Sequence, residues 1–316
     1  MLGSLAPFAA AQDLLRQLTG LRFSTATVRR VTEAVGAELQ AQHAAGQAVP
    51  APAPDWDFSL PDRDGQSFAG TVAYAGLDAF AVPTRAAGKV DWKMLYVGLL
   101  YDPGKAHTLY LVDYDFERLA GLLRRYAAAL GVGQAQTLVA LTDGGNGLER
   151  VLRQAVSGAV ECVLDWWHLS EDLHELGRLL HGQDTGAARA WAKARETTLW
   201  EQGGQALAAE LDRLGCPAGA SPEAAQEWRR LRGRVWKNRH RTAYPAYRAR
   251  GWDVGSGPTE AGCKVIGQRV KGCGMRWEKT ASLAVAALKA LYASGLGLWD
   301  AFWRQRQPGH GCRSDR

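Results

Sequence analysis

The sequence predicts an α/β protein: a mixed sheet with flanking helices, an all-helical insertion and a small helical domain at the N-terminus. Three observations carry this prediction. Residues 67–174 alternate apolar, β-branched runs with helical periods. Residues 175–250 show helical patterning alone. The first 46 residues read as two helices joined by a short turn. At 316 residues and 47% hydrophobic content, the chain is long enough for a sizeable core and is not of disordered composition.

The elements follow in order. FAAAQDLLRQLTG ends at Gly20, a C-cap candidate, and LRFSTATVRRVTEAVGAELQ offers Ser24 or Thr25 as N-cap of a second amphipathic helix. With Arg29 and Arg30 on the second element, residues 1–46 fit a helix-turn-helix-like domain or an ordinary helical hairpin. QAVPAPAPDWDFSLPDRDGQ, residues 47–66, reads as a linker. TVAYAGLDAFAVPT, VDWKMLYVGLLY and HTLYLVDYD read as three hairpin-linked strands, with turn signals at Ala86–Gly88 and Asp102–Lys105. DFERLAGLLRRYAAALG places Leu119, Leu122, Leu123 and Tyr126 on one helical face. QTLVALTDGG is a strand, GLERVLRQAV a helix, ECVLDWWHL a strand and SEDLHELGRLL a helix, so the order is β-β-β-α-β-α-β-α. Residues 67–174 thus form the first part of a core, 175–250 a helical insertion, and 251–316 the return to the core, with ASLAVAALKALYASGLGLWDAFW as further helix.

Net charge is +6, but its distribution says more. Residues 228–279 hold 14 Lys and Arg against 3 Asp and Glu, while the rest of the chain holds 24 against 29. That asymmetry points to a polyanion partner, with Arg234, Lys237, Arg239, Arg241, Lys264 and Lys271 as candidate contacts; a solvated basic helix face is the plainer alternative. No apolar run reaches the roughly 18 residues of a membrane span. The opening MLGSLAPFAAAQDLLRQ has no basic n-region or long apolar h-region, and five cysteines without a CxxC pair do not read as a disulfide framework, so a reducing cytoplasm is expected.

Three acids stand where acids are costly. Asp78 lies within an apolar strand, Asp143 ends another, and Glu260 opens a helix after Gly255-Ser256-Gly257-Pro258. A strand-end Asp that caps a turn is the ordinary explanation for each alone. Asp78 and Asp143 become neighbours if the fourth strand pairs in parallel beside the first, and a helix from the last quarter can bring Glu260 to them. Three converging carboxylates suit two hard divalent cations, Mg²⁺ or Mn²⁺, which activate an attacking oxygen and stabilise the leaving oxygen of a phosphodiester. The basic segment would then hold a DNA backbone beside them.

LDAFAVP around Asp78, LTDGGNGLERVL around Asp143, DWWHLSEDL from Asp165 and GSGPTEAGCKVIGQRVKGCGMRW around Glu260 together resemble the DDE transposases of bacterial insertion sequences. Asp165-Trp166-Trp167-His168 is similar to the D-x-x-H signature of one branch of that family. The resemblance spans roughly residues 70–305. It implies an RNase H-like core, Asp78, Asp143 and Glu260 as the catalytic, metal-binding triad, and Asp165 and His168 as accessory residues. It further implies cleavage and strand transfer at element ends and target in double-stranded DNA, a homo-oligomer on DNA, and a bacterial, nucleoid-associated location. A nuclease that does not join strands, and a truncated or repurposed DNA-binding protein, are the alternatives.

Other motifs are weaker. Gly257 to Lys264 superficially suggests a phosphate-binding loop, but Cys263 intervenes before Lys264 and Val265 replaces the hydroxyl that Mg²⁺ needs. Glu171-Asp172-Leu173-His174 matches one half of a di-iron motif with no second copy. His310 and Cys312 lack zinc-ligand spacing with Cys263 or Cys273. Trp167 and Trp277 lie beside the motifs and are either core residues or platforms for an unpaired base.

Overall fold

The computed structural model describes residues 1–86, 88–144, 150, 153 and 159–306. Five strands form one sheet: β1 (Val72–Ala86), β2 (Lys89–Tyr101), β3 (Thr108–Asp113), β4 (Thr137–Thr142) and β5 (Ala159–Leu164), in the order β3-β2-β1-β4-β5. The first three make an antiparallel meander, and β4 and β5 run parallel to β1. A mixed five-stranded sheet with flanking helices is the expected α/β architecture and is consistent with an RNase H-like fold. Between β4 and β5, the helix predicted over 147–156 lies outside the described residues, apart from Arg150 and Arg153, which are helical.

Residues 72–77 of β1 are buried on both faces, as a central strand covered by helices on both sides must be. Pairing with β4 stops at Gly76, whereas pairing with β2 continues to Ala86↔Lys89. The two strands therefore project beyond the sheet as a hairpin that turns at Gly88, whose φ of 78° favours glycine. Val90, Trp92 and Met94 alternate on one exposed face of that hairpin. On the main sheet, α4 (Phe116–Ala129) buries Leu119, Leu122, Leu123 and Tyr126, the predicted face. Asp115 caps the helix by accepting a hydrogen bond from the Arg118 amide at 3.0 Å.

The N-terminal segment comprises α1 (Leu2–Leu5), α2 (Phe8–Thr19) and α3 (Thr25–Ala44), with Gly20 in the left-handed region after α2 and Ser24 capping α3. Both caps match the sequence reading, and the helices pack against the rest of the chain. Val28, Val35, Gly36 and Leu39 form a buried stripe on α3, which packs on α11 (Lys279–Ser294). A Cβ on Gly36 would sit 2.3 Å from the Ala284 carbonyl oxygen, so the two backbones touch there. Residues 47–66, the expected linker, also adhere to the core. Val49, Phe58 and Leu60 are buried, and the Trp56 indole donates to the Leu130 carbonyl at 2.7 Å. Proline content marks this stretch as neither helix nor strand; it says nothing about whether the intervening apolar residues pack.

After β5 come five helices: α5 (Trp166–His181), α6 (Gly186–Gln202), α7 (Gly204–Leu214), α8 (Pro222–Asn238) and α9 (Tyr244–Ala249). Each of α5 to α7 packs on its successor, α8 returns to α5, and α9 packs on α6. The chain then returns to the sheet through α10 (Gly257–Val270), followed by α11 and α12 (Leu298–Arg306). No helix among the described residues is long and apolar enough to cross a membrane.

Candidate metal and catalytic site

Strand register aligns three aspartates. Gly76 pairs with Leu141, so carrying the register two residues further sets Asp78 level with Asp143. Thr142 pairs with Leu164, so one further residue sets Asp143 level with Asp165. Asp78, midway along β1, thus stands level with Asp143 and Asp165 at the carboxyl-side ends of the neighbouring parallel strands β4 and β5, the usual place for ligands in open α/β sheets.

Glu260 arrives on α10, which lies along β1 and runs in the same direction. A Cβ on Gly76 would meet Thr259 Oγ1 at 1.9 Å, the Cys263 thiol donates to Asp78 Oδ2 at 3.4 Å, and a Cβ on Gly267 would lie 3.7 Å from the Phe80 ring. Four helical residues rise about 6 Å and two strand residues about 6.6 Å, so these contacts repeat in step. The start of α10 is tied to Asp165. The Ser256 amide donates to Asp165 Oδ1 at 2.9 Å, the Trp166 amide donates to the Val254 carbonyl at 3.0 Å, and a Cβ on Gly255 would lie 3.0 Å from the Trp167 indole. Ser256 Oγ in turn donates to Glu260 Oε1 at 3.2 Å.

These ties bring Asp165, His168 and Glu260 together, with ligand atoms all within 4.8 Å of one another, so that the group could hold a metal ion. It is not the triad the sequence indicated: among the described residues, Asp165 and His168 make the compact group with Glu260, while the Asp78 carboxylate engages Cys263 and the Ala79 amide, the latter at 2.7 Å. Asp143 remains a neighbour, since its charge acts on His168.

Compactness and available lone pairs pull in opposite directions within this group. Asp165 is fully buried and caps α5. Its Oδ1 accepts from the Trp167 and Ser256 amides, and its Oδ2 accepts from the His168 amide and the His168 ring. A carboxylate has about four acceptor positions, and all four are engaged. Burial raises the Asp165 carboxyl, but hydrogen bonds from His168 and Ser256 outweigh it and hold the group below its ordinary value. The bond to Asp165 pushes His168 up to about 9, with the charges of Asp165 and Asp143 adding to it. His168 is therefore an imidazolium at neutral pH, a donor and not a free ligand. Burial and the Asp78 charge raise the Cys263 thiol, so it stays protonated beside that carboxylate.

The predicted cationic contacts divide into two groups. Lys237, Arg239, Lys264 and Lys271 are exposed; Arg239 stacks over Trp236 at 4.2 Å and Lys271 lies 5.4 Å from the Phe80 ring centre. Arg234 is a structural strut: it pairs with Asp172 and donates to the Asp143 backbone carbonyl at 2.6 Å. Arg241 is buried with its guanidinium on Asn238, which removes it from any exposed contact surface. Both lie in a basic run whose sequence gives no sign of which side turns inward. Arg269, in the α10 segment, is also internal. It donates to the Gly3 carbonyl between Phe8 and Trp277, and burial lowers it to about 10.

Sequence reasoning missed Ser256 and Cys263, although the four-residue spacing of Ser256 to Glu260 on one helical turn was a usable signal. Trp277 is core, buried and donating to the Val270 carbonyl at 2.9 Å, whereas Trp167 is 58% exposed. His174 bonds Glu196 within the helical insertion. A cleft of about 560 Å³ contains none of the clustered acids; Arg29, Arg85, Arg269 and Arg276 line it between the N-terminal helices and residues 274–278. No protein-family model matches this chain, and no curated protein matches it either.

Proposed function

We propose that this protein is a DDE-type DNA transposase, a metal-dependent enzyme that cleaves and transfers strands at the ends of an insertion sequence. The observation that carries the reading is the alignment of Asp78, Asp143 and Asp165 across three parallel strands, with Glu260 tied to Asp165 through Ser256. Four carboxylates on neighbouring strands and the adjoining helix oppose one another unless cations join them. The exposed lysines Lys264 and Lys271 on and just after α10 supply part of that charge and fit a DNA backbone. The four-motif resemblance adds the reaction class.

The donor set fits Mg²⁺ or Mn²⁺, being mainly hard carboxylate oxygen. Such cations, when bound, supply activation of the attacking oxygen and stabilisation of the leaving one. In this reading Asp78, Asp143 and Glu260 are the ligands, because Asp165 has its acceptor positions filled. Asp165 acts through others: it fixes the start of α10 by way of Ser256 and holds His168 charged. The His168 imidazolium, partly exposed, then offers its Nε2–H to a phosphate oxygen beside the acids. A homo-oligomer on DNA goes with this reading and rests on the resemblance alone.

The test is nicking of a supercoiled plasmid that carries the DNA flanking this gene. Wild type is expected to nick it with Mg²⁺ and to give joined products with a second DNA, and Asp143→Ala is expected to do neither. Persistent Mg²⁺-dependent nicking by Asp143→Ala overturns the mechanism. Nicking without joined products points to a nuclease on the same fold. DNA binding that needs neither Mg²⁺ nor Glu260, with no nicking, points to a non-catalytic binding protein.

A further inference from the structure

The projecting hairpin of β1 and β2 leaves a strand edge and an apolar face uncovered together. β3 pairs with β2 only from Tyr96 to Tyr101, so residues 90–95 have no strand on that side among the described residues. Val90, Trp92 and Met94 are exposed there, Trp92 by 61%. The direction of their backbone groups follows from the far side of the hairpin. The Arg85 amide donates to the Trp277 carbonyl at 2.8 Å, and the Trp277 amide donates to the Pro83 carbonyl at 3.2 Å. Pro83 and Arg85 therefore aim their backbone groups away from β2. Their partners across the ladder are Trp92 and Val90. In an antiparallel pair such partners aim outward as well, and Met94 follows by alternation. Three residues thus present outward N–H and C=O groups and apolar side chains along one open edge, which is a template for another strand.

Charge says which strand fits. Asp91 and Lys93 stand on the opposite face, with Lys93 Nζ 2.8 Å from Asp91 Oδ2. A two-fold axis through Trp92 pairs two copies of the edge antiparallel. It sets Trp92 on Trp92, Val90 against Met94 of the second copy, and Asp91 against Lys93 of the second copy, each twice over. Every outward amide and carbonyl of Val90, Trp92 and Met94 then finds a partner, and the charges fall at positions without ladder bonds, where side chains lie closest. An axis one residue earlier opposes Asp91 to Asp91 and Lys89 to Lys93. An axis one residue later opposes Lys93 to Lys93. Like charges directly opposite are destabilising, so the Trp92 register is selected.

We propose that this chain forms a two-fold dimer in which β2 pairs edge to edge with β2 of a second copy, centred on Trp92. The pairing uses both open edges, so assembly stops at two. It needs neither DNA nor metal and does not rest on the transposase reading.

Sedimentation equilibrium of the full chain, without DNA or Mg²⁺, tests it. An interface confined to two hairpins is at the small end for specific association, so wild type is expected to pass from monomer to dimer with a Kd on the order of 10 µM. Trp92→Lys is expected to stay monomeric. Asp91→Lys and Lys93→Asp, each alone, are expected to weaken dimerisation at least about tenfold, because two opposite-charge pairs become like-charge pairs. An equimolar mixture of these two variants is expected to recover a dimer, since the lysines of one copy then face the aspartates of the other. Wild type that remains monomeric at about 200 µM overturns the proposal, as does growth beyond a dimer or undiminished dimerisation of Trp92→Lys. A mixture that recovers nothing, from variants whose urea midpoints match wild type, overturns it too. None of these outcomes touches the nicking test, so the two readings stand or fall separately.

Discussion

Gly76→Ala is the most direct test of how the site is assembled. The new methyl would sit 1.9 Å from Thr259 Oγ1, 3.1 Å from its Cβ and 3.3 Å from its Cγ2, whereas ordinary contact begins near 3.4 Å. Opening about 1.5 Å between β1 and α10 would relieve the first contact, because the strand is central and the helix is the movable partner. Overpacking of this kind costs about 1–3 kcal/mol. Thr259→Ala removes Oγ1 and Cγ2 and leaves only the 3.1 Å contact, which a shift of a few tenths of an ångström absorbs. Alone, Thr259→Ala should cost less than about 1 kcal/mol, since the lost methyl is offset by removal of a buried hydroxyl that has no partner. The double variant should then recover about 1–2 kcal/mol relative to the sum of the single changes. Urea denaturation of all four proteins measures this, read as midpoint shifts at constant slope. Because α10 carries Glu260, Gly76→Ala should also lower Mg²⁺-dependent nicking about 100-fold, with Thr259→Ala restoring most of it. Additive stability costs would refute the close approach of α10 to β1.

Three other outcomes follow from the same geometry. Ser256→Ala removes the hydrogen bond to Glu260 and should reduce Mg²⁺-dependent nicking about 10- to 100-fold with little change in urea midpoint. Arg234→Met breaks the ties to Asp172 and to the Asp143 carbonyl and should destabilise the protein by about 1–3 kcal/mol, measured in the same way; a change within error would mean that α8 does not brace the Asp143 loop. For pH, the folded state raises His168 from 6.5 to about 9, so its stabilising contribution is complete below 6.5 and fades as pH rises through about 9. Asp165 is held below its ordinary value, so its own contribution is present at neutral pH and fades in acid. Urea midpoints across the alkaline range should fall for wild type and stay flatter for His168→Ala; parallel profiles would exclude the pair as their source.

Much of the fold was legible because burial writes itself into period. The continuous apolar run of β1 and the four-residue face of α4 each answer to one local rule. The sequence set Asp78 beside Asp143 only on the condition that β4 pairs in parallel beside β1; the strands do pair so, and carrying their register two residues on sets Asp143 level with Asp78. The attachment of the N-terminal helices was not legible. Gly36 looks like a weak point in an amphipathic helix, and only the Ala284 carbonyl against it explains why a larger side chain would not fit. The basic run of α8 was misleading for a related reason. Arg234 and Lys237 look alike in sequence, but Arg234 turns toward Asp172 and the Asp143 loop while Lys237 faces solvent.

The site divides along the same line. The strand-end acids could be found because each is chemically out of place in its own segment. Their division of labour could not, because it depends on how many donors reach each carboxylate. Asp165 and Asp143 both stand one residue past a parallel strand. At Asp165, however, the next residues turn at once into α5, and two of its amides point back at the carboxylate. The Gly255–Ser256 turn adds a third amide because glycine lets the chain pass against Trp167, and the His168 ring adds a fourth donor. An acid so surrounded is fixed in position and short of lone pairs, so it orients its neighbours better than it binds a cation. Glu260 is the reverse: exposed, held by one hydroxyl, and carried on a helix whose spacing against β1 is set by Gly76 and Thr259. The residue most able to bind is thus the one whose position depends most on packing elsewhere.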